Sequence, residues 1–176
     1  METRILDGVG MVVVVAIGAH PDDVEGGCFG TLAKYKKAGN EIAIILLTKG
    51  GRGGDKEVRE DEAKAAASII NAKLIVADFE DGMVKDDFEV VSWIENQLKK
   101  VKADIVFIPC NTDRHQDHRH GGRAAIAASR DINNVLMYET TSTNDFIPQM
   151  FVDISDTLND KILALSRHES KQKGNT

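Results

Sequence analysis

Residues 12–17 form a continuous run of valine, alanine and isoleucine that ends at Gly18. Because apolar side chains occupy both alternating sets of positions, the run is typical of a parallel strand covered on both faces. His20, Asp22 and Asp23 follow directly after it. In an open α/β sheet, ligands bind beyond the carboxyl ends of the strands. The segment therefore predicts a buried parallel strand with a functional site at its carboxyl end.

The rest of the chain alternates between strand-like and helix-like patterns. Short apolar runs bounded by turn residues predict strands, and longer segments with apolar residues at helical spacing predict helices. Further strands are predicted at 41–47, 73–77, 104–108, 135–139 and 150–154, and helices at 25–38, 56–70, 88–100, 121–130 and 156–169. This alternation predicts an α/β fold, a Rossmann-like three-layer sandwich with a mostly parallel sheet. A length of 176 residues suits one domain spanning 1–176.

The composition argues against several classes of partner. Acidic residues outnumber basic ones by 28 to 22, the net charge is −6, and no basic stripe is present. We therefore expect no nucleic-acid partner. The apolar runs are too short to cross a membrane, so no membrane partner is expected either. The two cysteines, Cys28 and Cys110, form no CxxC motif, and a reduced, cytoplasmic location is expected.

Four of the five histidines lie in two segments that each follow a predicted strand. Because both strands end at the same edge of the sheet, His20 and Asp23 can meet His118 there. A catalytic zinc site typically has three nitrogen or oxygen ligands and one open position. We therefore expect these three side chains to hold a metal ion. Zinc is the expected ion, although Fe²⁺ or Mn²⁺ would also suit such ligands.

The remaining polar groups suggest roles in a hydrolysis. Asp22 is a carboxylate that does not bind the metal, so it is free to accept a proton from a water whose pKa the metal has lowered. His115, oriented by Asp117, is expected to be an imidazolium that stabilises an oxyanion or protonates a departing amine. Taken singly, Asp23 is equally typical of a helix N-cap and His20 of a hydrogen-bonded core residue. Two polar clusters at one sheet edge favour a site.

The segments 19–23 (Ala-His-Pro-Asp-Asp) and 115–118 (His-Gln-Asp-His) resemble the two signature motifs of the LmbE-like (PIG-L) zinc deacetylases. That family removes acetyl groups from N-acetylglucosamine conjugates. Weaker features of the family recur in the same order along most of the chain. They are the Arg59 and Glu62 pair, Asp81-Gly82, residues 151–155 and residues 161–168.

The resemblance implies a role for each matching residue. It implies zinc on His20, Asp23 and His118, with Asp22 as general base, His115 as the charged histidine and Asp117 as its partner. It also implies that Arg59 and Asp81 contact sugar hydroxyls of a small N-acetylated substrate, and that the protein forms a homo-oligomer. Each of these two residues also has a structural alternative. Arg59 could pair with Glu62 on the helix surface. Asp81 could simply be a turn residue before Gly82.

Three departures from the family pattern bear on activity. Gly51 stands where the family often has a glutamate, and Gln116 replaces a common proline. Typical relatives also continue well beyond the histidine that matches His168, so the chain is either a short member or one truncated at its C-terminus. Two other functions therefore stay open. They are a metal-dependent amidase acting on a non-sugar amide, and a metal-binding protein whose catalysis is impaired by the short C-terminus.

Overall fold

The computed structural model describes residues 10–173 and contains one five-stranded sheet within them. The strands are β1 (Val13–Gly18), β2 (Glu41–Leu46), β3 (Lys73–Val76), β4 (Ile105–Pro109) and β5 (Asn134–Tyr138). Their order is β3-β2-β1-β4-β5, and every neighbouring pair is parallel. The predicted Rossmann-like α/β fold is confirmed, and the sheet is parallel throughout these strands.

Helices cover both faces of the sheet and complete three layers. They are α1 (Asp23–Gly27), α2 (Phe29–Lys37), α3 (Lys56–Ser68), α4 (Phe88–Val101), α5 (Gln116–Ala128), α6 (Leu158–Leu165) and α7 (Glu169–Lys173). The first three helices and α6 pack on one face, while α4 and α5 pack together on the other. Within the described residues, no helix is long and apolar enough to cross a bilayer.

Strand β1 contributes to both hydrophobic cores, which explains its unbroken apolar sequence. Val14 and Ala16 lie in the core beneath α1, α2 and α3, whereas Val15 and Ile17 lie in the core beneath α4 and α5. All four side chains are fully buried. Complete burial of a valine or isoleucine side chain stabilises a fold by about 1.5–3 kcal/mol. A polar residue at any of these positions would therefore disrupt one of the two cores.

The strand order places a functional site at the end of β1. The chain runs from β1 outward to β2 and β3, then crosses to β4 and β5 on the other side of β1. The loops that follow β1 and β4 therefore leave the sheet in opposite directions and open a crevice between them. This reversal is the usual ligand site of a doubly wound sheet.

Several predicted element boundaries are wrong. The helix expected over 25–38 is two helices, with Cys28 between them. The helix expected over 156–169 is shorter, since α6 ends at Leu165 and a separate helix, α7, begins at Glu169. The helix expected from Gly121 begins at Gln116 instead, so the second histidine cluster lies at the start of α5 rather than in a loop.

The strand predicted at 150–154 is also wrong, because this segment has no strand pairing. It lies against α2 instead of extending the sheet. Lys34 Nζ donates a hydrogen bond to the Asp153 carbonyl at 2.6 Å, and a Cβ added to Gly30 would lie 2.7 Å from Ile154 Cδ1. The apolar residues of this segment gave a strand-like pattern, but only Ile154 packs against the helix, and Met150, Phe151 and Val152 are exposed.

Candidate metal centre and active site

The turn after β1 is held together by the side chain of Asp23. Its Oδ2 accepts the backbone N–H groups of Ala19 at 3.0 Å and His20 at 2.8 Å. Asp22 occupies the N-cap position of α1 without a side-chain cap hydrogen bond and has a φ of 96°. A positive φ is uncommon for a residue with a side chain and costs on the order of 1–3 kcal/mol. Asp23 is therefore not the N-cap of α1, since its carboxylate instead stabilises the turn that carries His20.

His20, Asp23 and His118 converge in the crevice, and each of them is buried. His20 Nδ1 lies 3.4 Å from Asp23 Oδ2 and 3.3 Å from His118 Nε2, and His118 Nε2 lies 3.1 Å from Asp23 Oδ1. Tetrahedral zinc with ligand distances of about 2.0–2.1 Å separates its ligand atoms by about 3.4 Å. The donor types and their separations therefore fit a zinc ion held by these three residues.

The second nitrogen of His20 faces two carboxylates. His20 Nε2 lies 3.0 Å from Asp81 Oδ1 and 3.0 Å from Asp117 Oδ2. Burial lowers the pKa of His20, but the carboxylates of Asp117, Asp23 and Asp81 outweigh it and raise the pKa to about 11. Metal-ligating histidines almost always donate their other N–H to a carboxylate, a carbonyl or water. Asp81 and Asp117 therefore orient His20 so that Nδ1 points to the proposed metal position.

The Asp81 side chain has two polar partners that the sequence did not predict. Its Oδ2 accepts the backbone N–H of Arg52 at 2.7 Å, its other oxygen faces His20, and the residue is only 8 % exposed. The side chain is thus more than a turn residue before Gly82. The structure brings Asp81 against His20, and the expected contact with a sugar hydroxyl stays a prediction.

Asp117 contacts His115 through its backbone rather than through its carboxylate. Asp117 Oδ2 is bound by His20 and by the Gly82 N–H at 2.6 Å, and Oδ1 accepts the Val84 N–H at 3.2 Å. His115 is instead the N-cap of α5, where its Nδ1 accepts the backbone N–H of Asp117 at 3.2 Å. Asp117 therefore orients His115 through its backbone.

The expected imidazolium at His115 is also not what the structure favours. Burial, together with the nearby rings of His118 and His20, lowers the pKa of His115. The His115 ring stacks on His118 with 4.6 Å between centroids. Because Nδ1 accepts the cap hydrogen bond, the neutral ring carries its proton on Nε2. His115 remains exposed and can donate that proton in a hydrogen bond to a substrate oxygen.

Arg59 is buried, with 3 % of its surface exposed, and does not form the surface pair with Glu62. Its Nη1 donates to the Gly50 carbonyl and its Nη2 to the Pro21 carbonyl, both at 2.7 Å. Nη2 also lies 3.4 Å from Asp22 Oδ1. Arg59 therefore joins the loop after β2 to the turn after β1 and places a positive charge beside Asp22. Its expected contact with sugar hydroxyls stays a prediction.

Asp22 lies between positive and negative neighbours. Burial and the adjacent Asp23 raise its pKa, while Lys171 and Arg59 lower it. Lys171 Nζ forms an ion pair with Asp22 Oδ2. Helix α7 brings Lys171 to this place because Ser170 binds both carboxylate oxygens of Glu62 on α3. The sequence patterns gave no signal for Lys171, since its partner is about 150 positions earlier in the chain.

Asp113 is a second residue that the sequence interpretation did not assign a role. It is 1 % exposed and lies between His118 and the loop after β5. Its carboxylate accepts hydrogen bonds from Ser142 Oγ, Thr140 Oγ1, Thr143 Oγ1 and the His115 N–H. Burial raises its pKa, but these hydrogen bonds outweigh burial and hold the pKa at about 2. The available sequence signal was only an aspartate two residues before His115.

The fold and this cluster define an α/β enzyme with a histidine–carboxylate centre at the carboxyl edge of a parallel sheet. Residues 15–129 match the family model PIG-L, described as GlcNAc-PI de-N-acetylase, and the chain belongs to this family. It is 34 % identical over 167 residues to the uncharacterized deacetylase YaiS of Escherichia coli (strain K12), covering 89 % of this chain and 90 % of that protein.

Two further comparisons agree with this membership. The chain is 32 % identical over 187 residues to the diacetylchitobiose deacetylase of Thermococcus kodakarensis, covering 90 % of this chain and 69 % of that protein. The crystal structure of the conserved protein TT1542 from Thermus thermophilus superimposes with a TM-score of 0.85 at 28 % identity, covering 94 % of this chain and 82 % of that one. The chain is thus a deacetylase, a hydrolase of an amide C–N bond.

Proposed function

We propose that this protein is a zinc-dependent deacetylase that hydrolyses the N-acetyl group of an N-acetylglucosamine conjugate or a related amino sugar. The observation that carries the proposal is the convergence of His20, Asp23 and His118 donors at 3.1–3.4 Å from one another, with Asp22 beside them. The sugar substrate is supported by the T. kodakarensis relative, which is a diacetylchitobiose deacetylase.

His20, Asp23 and His118 would hold the zinc ion, which supplies Lewis acidity toward the amide carbonyl and acidifies the attacking water. Asp22 accepts the proton of that water as it attacks. Its left-handed backbone turns the carboxylate away from the capping position, and Arg59 holds one of its oxygens. The protonated Asp22 then returns the proton to the departing amine nitrogen, which yields acetate and a free amino sugar.

His115 has a separate role in this proposal. Its Nε2–H donates a hydrogen bond to the oxygen that becomes negative when the carbonyl is attacked. The N-cap hydrogen bond from the Asp117 N–H holds the ring in the tautomer that makes this possible. A neutral donor is therefore sufficient, and the proton delivered to the amine comes from Asp22.

Acetate release provides the direct test. The zinc-loaded protein is incubated with N,N′-diacetylchitobiose, N-acetylglucosamine and, as a non-sugar amide, an N-acetylated amino acid. We expect acetate and a free amine in equal amounts from a sugar substrate, and none after chelation of the metal. Turnover of the amino acid alone would support the non-sugar amidase instead. Stoichiometric zinc without any turnover would identify a metal-binding protein and contradict the proposal.

Four further expectations accompany this function. The substrate is a small molecule rather than a nucleic acid, and the enzyme acts in the cytoplasm. Residues 1–176 form one domain, and this unit assembles as a homo-oligomer. Sedimentation or light scattering of the purified protein, followed by assay of each species, would test the assembly. Zinc is the proposed ion because catalytic zinc sites use three nitrogen and oxygen ligands with one open position. Two imidazoles and one carboxylate suit Fe²⁺ and Mn²⁺ as well, so metal analysis of the purified protein decides among the three ions.

A further inference from the structure

His118 contacts a compact network of side chains on the side of its ring that faces away from the proposed metal position. His118 Nδ1 lies 3.2 Å from Thr140 Oγ1, 3.2 Å from Ser142 Oγ and 3.4 Å from Asp113 Oδ2. His118 Nε2, on the opposite side of the ring, faces Asp23 and His20. The two ring nitrogens therefore have different chemical surroundings.

The direction of each hydrogen bond in the network follows from the charge of Asp113. An ionised carboxylate can only accept hydrogen bonds, so the hydroxyls around it must donate their single protons to it. Thr140 Oγ1 donates to Oδ2 at 2.5 Å, and Ser142 Oγ donates to Oδ1 at 2.7 Å. Only lone pairs of these two hydroxyls are then left to face His118.

This polarity determines which nitrogen of His118 carries a proton. Nδ1 faces three acceptors, namely two hydroxyl oxygens and one carboxylate oxygen, and must donate to them. When the ring carries one proton, that proton is therefore on Nδ1, and the lone pair is on Nε2. The lone pair consequently points at the donors of Asp23 and His20, where a ligand nitrogen is needed.

We propose that Asp113, acting through Thr140 and Ser142, is a positioning residue that holds His118 in the tautomer and orientation required to bind the metal ion. The inference deepens the proposed function and rests on its metal site. It also gives a role to the loop after β5, because Thr140–Thr143 lies there and closes over Asp113. The loop has no donor in the metal cluster described above, yet it governs one ligand of that cluster.

The chain offers a matched control. Thr140 and Thr143 both donate to Asp113 Oδ2, at 2.5 and 2.6 Å, but only Thr140 also faces His118 Nδ1. A purely structural role for the network would make T140V and T143V equivalent. A role in setting the state of His118 would make T140V the more damaging of the two.

The experiment measures zinc affinity by chelator competition and the visible absorption of the cobalt-substituted protein. For D113N we expect about 10- to 100-fold weaker zinc binding, as is typical when a residue that orients a metal ligand is removed. Its cobalt absorption bands should shift. At saturating zinc its kcat should approach that of the wild type, because the weaker affinity is then compensated by the higher zinc concentration. T140V should fall between D113N and T143V, and T143V should resemble the wild type in both readouts.

Two results would overturn the inference. One is wild-type zinc affinity in D113N with an unchanged unfolding temperature. The other is an equal loss of affinity in T140V and T143V. Neither readout depends on turnover, so absence of deacetylation with the expected order of zinc affinities would reject the proposed substrate and leave the role of Asp113 intact. Failure of the wild type to bind zinc or cobalt would reject both.

Discussion

At the scale of single residues, the sequence identified the residue types of the site and misassigned some of their partners. His20, Asp23 and His118 could be grouped because each follows a buried strand of a parallel sheet. The partner of Asp117 could not be deduced, because its carboxylate lies beside His20, 97 positions earlier, and also binds the 82–84 loop. Sequence proximity favoured His115, whereas the start of α5 turns the carboxylate away from that ring.

Substitutions of Asp22 and His20 should both reduce activity but should differ in metal content. Asp22→Asn removes the proton acceptor and is expected to lower kcat by about 10²- to 10⁴-fold while zinc content stays near one per chain. His20→Ala removes a ligand and is expected to abolish both. Metal analysis and an acetate assay on the two variants check this. Full activity in D22N would contradict the base assignment, and stoichiometric zinc in H20A would contradict the ligand assignment.

Lys171 should influence the pH dependence of the reaction. Its ammonium group lowers the pKa of Asp22, so Lys171→Met is expected to raise that pKa. In the proposed mechanism Asp22 acts only when deprotonated, so the acid limb of the kcat/KM profile should move to higher pH. Lys171 is half exposed, so the displacement should be modest and should shrink as salt is added. A shift to lower pH would contradict the ion pair.

At the scale of secondary structure, the central elements were predictable and the peripheral ones were less so. β1, β2 and β4 are covered on both faces, which gives continuous apolar runs that few other structures produce. The boundaries of α1, α5 and α6 depend on local contacts that leave no periodic signal. One example is α5, whose N-cap is a histidine, a residue outside the usual capping set.

Two adjacent glycines of α1 should respond differently to alanine. A Cβ at Gly27 would lie 2.2 Å from the Tyr138 ring, whereas a Cβ at Gly26 would meet nothing within 4 Å. Gly27→Ala is therefore expected to destabilise the protein by about 1–3 kcal/mol, because Tyr138 is buried and its hydroxyl binds the Ile17 carbonyl at 2.7 Å. Gly26→Ala should be neutral or stabilising, by up to about 1 kcal/mol. Urea unfolding of both variants checks the difference, and equal effects would contradict the packing described.

At the scale of the whole molecule, the site exists only when the sheet is assembled. His20 follows β1 and His118 follows β4, and these two strands pair directly. We therefore expect metal binding to stabilise the fold. Zinc at a free concentration of about 100 times Kd should add about 2.7 kcal/mol to the free energy of unfolding. Thermal unfolding across a zinc titration measures this, with H20A as the control that should not respond. An unchanged melting temperature in the wild type would contradict a preformed site.

The three carboxylates around His20 also favour the protonated form of its ring when no metal ion is bound. Burial lowers the pKa of both His20 and His118, but the carboxylates outweigh it. The pKa of His20 is raised to about 11, so this ring is protonated at neutral pH without a metal, and the pKa of His118 is also raised. A metal ion must displace the proton on His20 Nδ1, and any proton on His118 Nε2, as it enters. Apparent zinc affinity should consequently fall as pH is lowered, and calorimetry in buffers of different ionisation enthalpy should detect about one to two protons released per ion. Acidification should therefore release the metal ion from the enzyme.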